Sequence, residues 1–132
     1  MKQDIEYAYI AGLTDGEGTI FITPQLYLSV KIRNTDKPIL LWVQGVYGLG
    51  KIYKAKSAIK QGFSLEFNSN NALKFLTPLL PYLRIKKLQA ELAVAFQLAT
   101  ETGDRKIEYR QRIMALNQKS YDRLFGVTQP TV

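Results

Sequence analysis

Two carboxylates, Asp15 and Glu17, stand two positions apart in the stretch Tyr9-Ile10-Ala11-Gly12-Leu13-Thr14-Asp15-Gly16-Glu17-Gly18. The chain of 132 residues has no histidine and no cysteine, which removes disulfides, Cys/His zinc sites, thiol nucleophiles and histidine proton relays. Chemistry is left to carboxylates, lysines, hydroxyls, amides or a metal held by oxygen. The same stretch carries a second pattern. Ala8, Gly12 and Gly16 recur at intervals of four and line one helix face with almost no side chain, so another helix can approach closely. Glycine costs about 0.8–1.0 kcal/mol relative to alanine inside a helix, and Gly12 therefore needs a close contact in return, with its own core or with a second copy of the seam. One seam in one short domain has no equal partner within the chain, and two-fold pairing supplies one. A homodimer is expected, with Ala8, Ala11, Gly12, Asp15 and Gly16 at its interface. Asp15 also suits a helix end.

Lysine and arginine number 18 against 11 aspartates and glutamates, a net charge of +7. The excess is concentrated between residues 31 and 60, where Lys31, Arg33, Lys37, Lys51, Lys54, Lys56 and Lys60 face Asp36 alone. Such a block suggests a polyanionic partner, the alternative being a basic face that serves solubility alone. At 46% hydrophobic and 22% charged, the chain can bury a core and reads as one folded domain over residues 1–132. No apolar run approaches the length of a membrane span, and the N-terminus lacks a secretory signal, so no membrane role and an intracellular location are expected.

The elements that must position these residues follow from periodicity. Asp4 is placed to cap a helix through Ile5, Tyr9, Ile10 and Leu13 that ends at Gly16 and Gly18. Residues 19–23 and 27–34 read as a hairpin, stopped between strands by Pro24. Asp36 and Pro38 open a short helix over 39–47, which Gly48-Leu49-Gly50 ends. A second hairpin follows at 51–54 and 63–67. Asn70 or Asn71 can cap a third helix with Leu73, Leu76 and Leu80 on one side, and Pro81 ends it or starts the next segment. Helices are expected over 87–100 and 105–125, the last bent or interrupted near Asn117. The fold class is α+β, in the order αββαββα with C-terminal helices.

The Tyr9 to Gly18 stretch resembles the signature of the LAGLIDADG homing endonucleases. Ile10, Ala11, Gly12 and Leu13 match its first four positions, Asp15 and Glu17 its two acidic ones, and Gly18 its last glycine. Thr14 stands where the signature has an apolar residue, and Gly16 where it has a small one. The αββαββα order, Gly48-Leu49-Gly50 and Leu80-Pro81-Tyr82-Leu83-Arg84-Ile85-Lys86 extend the resemblance over roughly residues 5 to 100. It implies a curved antiparallel four-stranded sheet. It also implies that the last acidic position, Glu17, holds a divalent metal together with Gly16, with Mg²⁺ the cofactor and Mn²⁺ a substitute. Two copies of Glu17 meeting at a dimer axis would repel each other and favour such a cation. Lys86 matches a lysine beside the scissile phosphates, or is a solvated lysine at a helix start. Asn34 matches a position that orients water near the metal, or is a plain turn residue. Lys37 supplies a basic group nearby.

Alternation turns one face of the hairpins outward: Thr19, Phe21 and Thr23, then Tyr27, Ser29, Lys31 and Arg33, then Lys51 and Tyr53, then Ser64 and Glu66. A two-stranded ribbon fits the DNA major groove, where lysine and arginine read guanine and glutamate accepts from cytosine. Gln25 and Gln61, near loop tips, suit adenine. The resemblance implies a homodimeric endonuclease that makes a metal-dependent double-strand break in a long, nearly palindromic DNA site. Its setting would be an intron or an intein, in the cytoplasm or nucleoid of a prokaryote or in a chloroplast or mitochondrion. The alternatives are a maturase derived from the family that binds RNA and a DNA-binding protein without nuclease activity.

Overall fold

A computed structural model describes residues 2–55, 62–100 and 103–125, with backbone alone for 119–125. The element order is α1 (Lys2–Glu17), β1 (Gly18–Ile22), β2 (Leu28–Asn34), α2 (Lys37–Tyr47), β3 (Lys51–Lys54), β4 (Phe63–Asn68), α3 (Asn70–Leu76), a 3₁₀ turn (Thr77–Leu79), α4 (Lys87–Leu98) and α5 (Asp104–Phe125). This is the expected αββαββα order followed by two helices. The strands form one antiparallel sheet in the order β1-β2-β4-β3, so the two hairpins join through β2 and β4.

Period-two alternation builds the core. Ile20, Val30 and Phe67 are register partners across three strands, and Ile32 and Leu65 continue the same face. All five are buried, together with Ile10, Leu40, Val43, Phe75 and Leu79 from the helical layer. Phe67 stacks on Phe75 at 4.2 Å, and Tyr47, 4.8 Å from Phe75, donates its hydroxyl to the Phe75 carbonyl at 2.9 Å. Burial holds the Tyr47 hydroxyl protonated far above the ordinary tyrosine range.

The turn residues behave as their chemistry requires. Gly48 ends α2 in the left-handed conformation, with its N–H bonded to the Gln44 carbonyl. Gly50 has φ +98, and a Cβ there would meet Phe67 at 2.7 Å. Three local expectations are corrected. Helix α1 already starts at Lys2, so Asp4 lies in its first turn, where an acid complements the helix dipole. The residue before α3 is Ser69 rather than Asn70 or Asn71. Finally, α5 runs without a break past Asn117. Asn117 donates its side-chain amide to the Ile20 carbonyl at 2.9 Å, and Arg110 donates Nε to the Ile22 carbonyl at 2.9 Å. These side chains satisfy carbonyls along the open edge of β1 and seal it. No helix among the described residues is long and apolar enough to cross a membrane.

Candidate active site and nucleic-acid interface

The C-terminal end of α1 is built for a tight exit. Thr14, in an apolar position, is fully buried and satisfies its hydroxyl by donating to the Ile10 carbonyl at 2.8 Å. A Cβ on Gly18 would lie 2.7 Å from the Thr14 carbonyl oxygen, so only glycine lets the chain pass directly from α1 into β1.

Asp15 points inward. Its Oδ2 accepts the Arg84 N–H and its Oδ1 the Lys86 N–H, each at 2.9 Å, while Lys86 Nζ donates to the Asp15 carbonyl at 2.6 Å. Two segments some 70 residues apart are thus laced together, and Lys86 is fixed against the end of α1. Lys86 is 8% exposed. Burial lowers its pKa from the ordinary 10.5, and the negative charges of Asp15 and Glu17 oppose that shift. Its head therefore sits within the field of Glu17. Glu17 itself is exposed. It shares an open depression of about 400 Å³ with Arg33, Asn34, Thr35, Ala55, Gly62 and Phe63.

Asn34 uses its Oδ1 to accept the Asp36 N–H at 2.9 Å, so it is a turn residue and a neighbour of Glu17 at once. Lys37 places its ammonium 5.4 Å over the ring of Phe63, which lines that depression. The structure accordingly brings Glu17, Asn34 and Lys86 to the end of α1, whereas Lys37 is placed only against Phe63 on the wall of the depression. Among the described residues no three acidic side chains cluster to hold a metal. The Glu17 carboxylate and the Gly16 backbone fit a share of a hard-cation site, at a helix C-terminus where the dipole favours positive charge.

The seam is open. Ala8, Gly12 and Gly16 are exposed, and a Cβ added to Gly12 or Gly16 would meet nothing within 4 Å. The chain's own core therefore does not account for these glycines. Ala11 and Asp15 depart from the expected interface: Ala11 is fully buried and Asp15 is 8% exposed, because both lie on the face of α1 that packs inward. Ile5 and Tyr9 extend the exposed stripe, and Tyr9 meets Trp42 of α2 edge-on at 5.5 Å. With Ile39 they outline an apolar hollow. The contribution of α2 was not legible from the motif.

On the sheet's outer face the register aligns Thr19 with Lys31, Lys31 with Glu66 and Glu66 with Lys51. Phe21, Ser29 and Asn68 form a second row, and Arg33, Ser64 and Tyr53 a third. Every strand residue expected outward is on this face. Ser29 and Ser64, however, are 3% and 6% exposed: each small side chain is covered by larger row partners, so neither offers a free surface. Asn68 was missed, although one more step of the alternation through Phe67 reaches it. Thr23 accepts the Tyr27 N–H at 3.0 Å in the β1–β2 turn, where Gln25 is exposed. Gln61, Lys56 and Lys60 lie outside the described residues.

No protein-family model and no curated protein matches the chain. Solved structures do. The homing endonuclease I-CvuI in complex with its DNA target and calcium superposes with a TM-score of 0.75 at 20% identity, over 87% of this chain and 83% of that one. The archaeal intron-encoded homing endonuclease I-Vdi141I bound to DNA gives 0.66 at 16% identity, over 98% and 87%. The LAGLIDADG homing endonuclease I-LtrWI bound to target DNA gives 0.58 at 19% identity, over 84% of this chain but 42% of that one. The fold is that of the LAGLIDADG homing endonucleases.

Proposed function

We propose that this chain, carrying the LAGLIDADG homing endonuclease fold, is a site-specific DNA endonuclease that works as a homodimer on a long, nearly palindromic duplex. The observation that carries the reading is that Lys86, hydrogen-bonded to Asp15, is fixed two residues from the exposed Glu17, at the foot of a helix whose glycines meet nothing among the described residues. One chain supplies one exposed carboxylate, one buried ammonium and one sheet face. Cutting both strands needs two of each. The lengths of similar structures agree: this chain spans most of I-CvuI and I-Vdi141I but less than half of I-LtrWI, as expected if a double-strand cutter needs two such units.

Pairing through Ala8, Gly12 and Gly16 brings the two α1 ends together. Glu17 and Gly16 of each copy would then share divalent metal with DNA phosphate oxygens, Mg²⁺ by preference and Mn²⁺ as a substitute. When bound, the metal supplies charge neutralisation and a more acidic water for phosphodiester hydrolysis. The chain's own residues do the rest. Lys86, held rigid by Asp15, presents an ammonium to developing phosphate charge. Asn34, its Oδ1 engaged with the backbone, would use its amide donors to orient water beside Glu17. Lys31, Arg33 and Lys51 carry the groove contacts, and Thr19, Phe21, Tyr53, Glu66 and Asn68 complete the face.

The test is Glu17→Gln. The amide keeps the size and loses the charge that holds a hard cation. A target would be selected from a random duplex library with Mg²⁺ present. The variant should then lose cleavage while binding that target in Ca²⁺ within a few-fold of the parent. Near-parental cutting would remove Glu17 from the mechanism.

A further inference from the structure

On the outer face a single row spans all four strands: Thr19 on β1, Lys31 on β2, Glu66 on β4 and Lys51 on β3. Glu66 is the one acidic side chain on this face among the described residues, and it sits between two lysines. Its Oε2 accepts from Ser64 Oγ at 3.2 Å, and its Oε1 lies 3.9 Å from Lys31 Nζ. The Lys31 ammonium stands 5.5 Å over the Phe21 ring. The two heads remain reachable, at 32% exposure for Lys31 and 21% for Glu66.

A carboxylate at the centre of a surface that meets phosphates is repelled by the backbone it approaches. The flanking lysines and Ser64 offset that repulsion, and a base edge that offers a donor turns the carboxylate to use, because an ionised carboxylate accepts and never donates. The ammonium beside it donates and never accepts. Side by side, the two make a donor and acceptor pattern that one base pair can complement in the major groove.

We propose that Lys31 and Glu66 together read one C·G pair in each half-site, Glu66 accepting from cytosine N4 and Lys31 donating to guanine O6 and N7. The inference rests on the sheet face being the DNA-binding surface. Cytosine suits Glu66 better than adenine does. The adenine N6 donor is flanked by acceptors on both sides, N7 of its own ring and O4 of the paired thymine, and each repels a carboxylate. Cytosine N4 has guanine O6 on one side only. Guanine also offers Lys31 two adjacent acceptors. Ser64 holds the carboxylate by one oxygen, which leaves Oε1 for the base.

The experiment is a binding profile of the full chain on duplexes with one half-site randomised, in Ca²⁺, compared between the parent and Glu66→Gln. The parent should favour C·G at one position per half-site by about 5- to 150-fold. Glutamine pairs with adenine N6 and N7, so the variant should move that position to A·T and leave the others as they were. A parent that prefers A·T there, or a variant whose profile matches the parent's at every position, overturns the inference while leaving sequence-specific binding intact. A parent that selects no sequence overturns the reading of the sheet face, and the base assignment falls with it.

Discussion

Lys86 and Tyr47 show how burial sets the direction in which pH acts. Lys86 is lowered from 10.5, so between its folded pKa and 10.5 the unfolded chain holds a proton that the folded chain lacks. Stability contributed by this residue therefore rises with pH through that window. Tyr47 is raised above its ordinary 10.0. Above pH 10 the unfolded chain loses a proton that the folded chain keeps, and stability falls. Thermal melts from pH 8 to 11 should show the decline flattened in Tyr47→Phe, which also forfeits the bond to the Phe75 carbonyl, at a cost of about 0.5–1.5 kcal/mol near neutrality. Lys86→Met should remove the rise. At Asp15 one carboxylate accepts two backbone N–H groups, and Asn can accept only one of them while turning a donor on the other. Asp15→Asn should cost about 1–3 kcal/mol by denaturant titration and slow cleavage with little change in target affinity. A loss of affinity equal to the loss of rate would place Asp15 in binding instead.

At the level of elements, the sheet and its two covering helices were legible because alternation and turn residues are local signals. Leu28, Val30 and Ile32 announce their own face, and Gly48 and Gly50 announce the end of α2. What the sequence did not disclose is made by distant pairs. Nothing near Asp15 signals that its acceptors belong to Arg84 and Lys86, and nothing near Asn117 signals a carbonyl of β1 as its partner. Asn117 looked like a break because asparagine is a poor helix former; its side chain in fact anchors α5 to the sheet. Asn117→Leu leaves the Ile20 carbonyl without that donor and should cost about 1–3 kcal/mol, with hydrogen exchange rising first in β1. Uniform exchange across all four strands would show that α5 does not guard the edge. Within the candidate site, the motif marked Glu17 and the segment after Pro81 marked Lys86, while the route that joins them was visible only in the fold.

At the scale of the whole molecule, Ala8, Gly12 and Gly16 form a stripe that nothing among the described residues covers. Because a Cβ at Gly12 meets nothing within 4 Å, Gly12→Ala should raise the stability of the isolated chain by about 0.8–1.0 kcal/mol. If two copies pair through this seam as proposed, the same methyl group would hold the two helices apart and should weaken association. Denaturation at low protein concentration and sedimentation at high concentration would report these opposite signs, and equal dimerisation in both proteins would take the seam out of the interface. Salt tests the count of subunits. If Lys51 contacts phosphate, Lys51→Ala should reduce the slope of log affinity against log salt by about 2 in a dimer, where one substitution removes two contacts, and by about 1 in a monomer.

The lacing of Asp15 to Arg84 and Lys86 bears also on the order in which the molecule is assembled during synthesis. All four strands have been synthesised once the ribosome passes Asn68, yet the N–H groups that satisfy the Asp15 carboxylate come 16 and 18 residues later. Until then, seating α1 against the sheet would bury a charge without donors, which is costly. A nascent chain ending before Arg84 should therefore leave its α1 end unseated, which hydrogen exchange on stalled chains would report. The four strands can pair before Lys86 is fixed against the end of α1, and on the proposed function a nascent chain ending before Lys86 should bind DNA without cutting it.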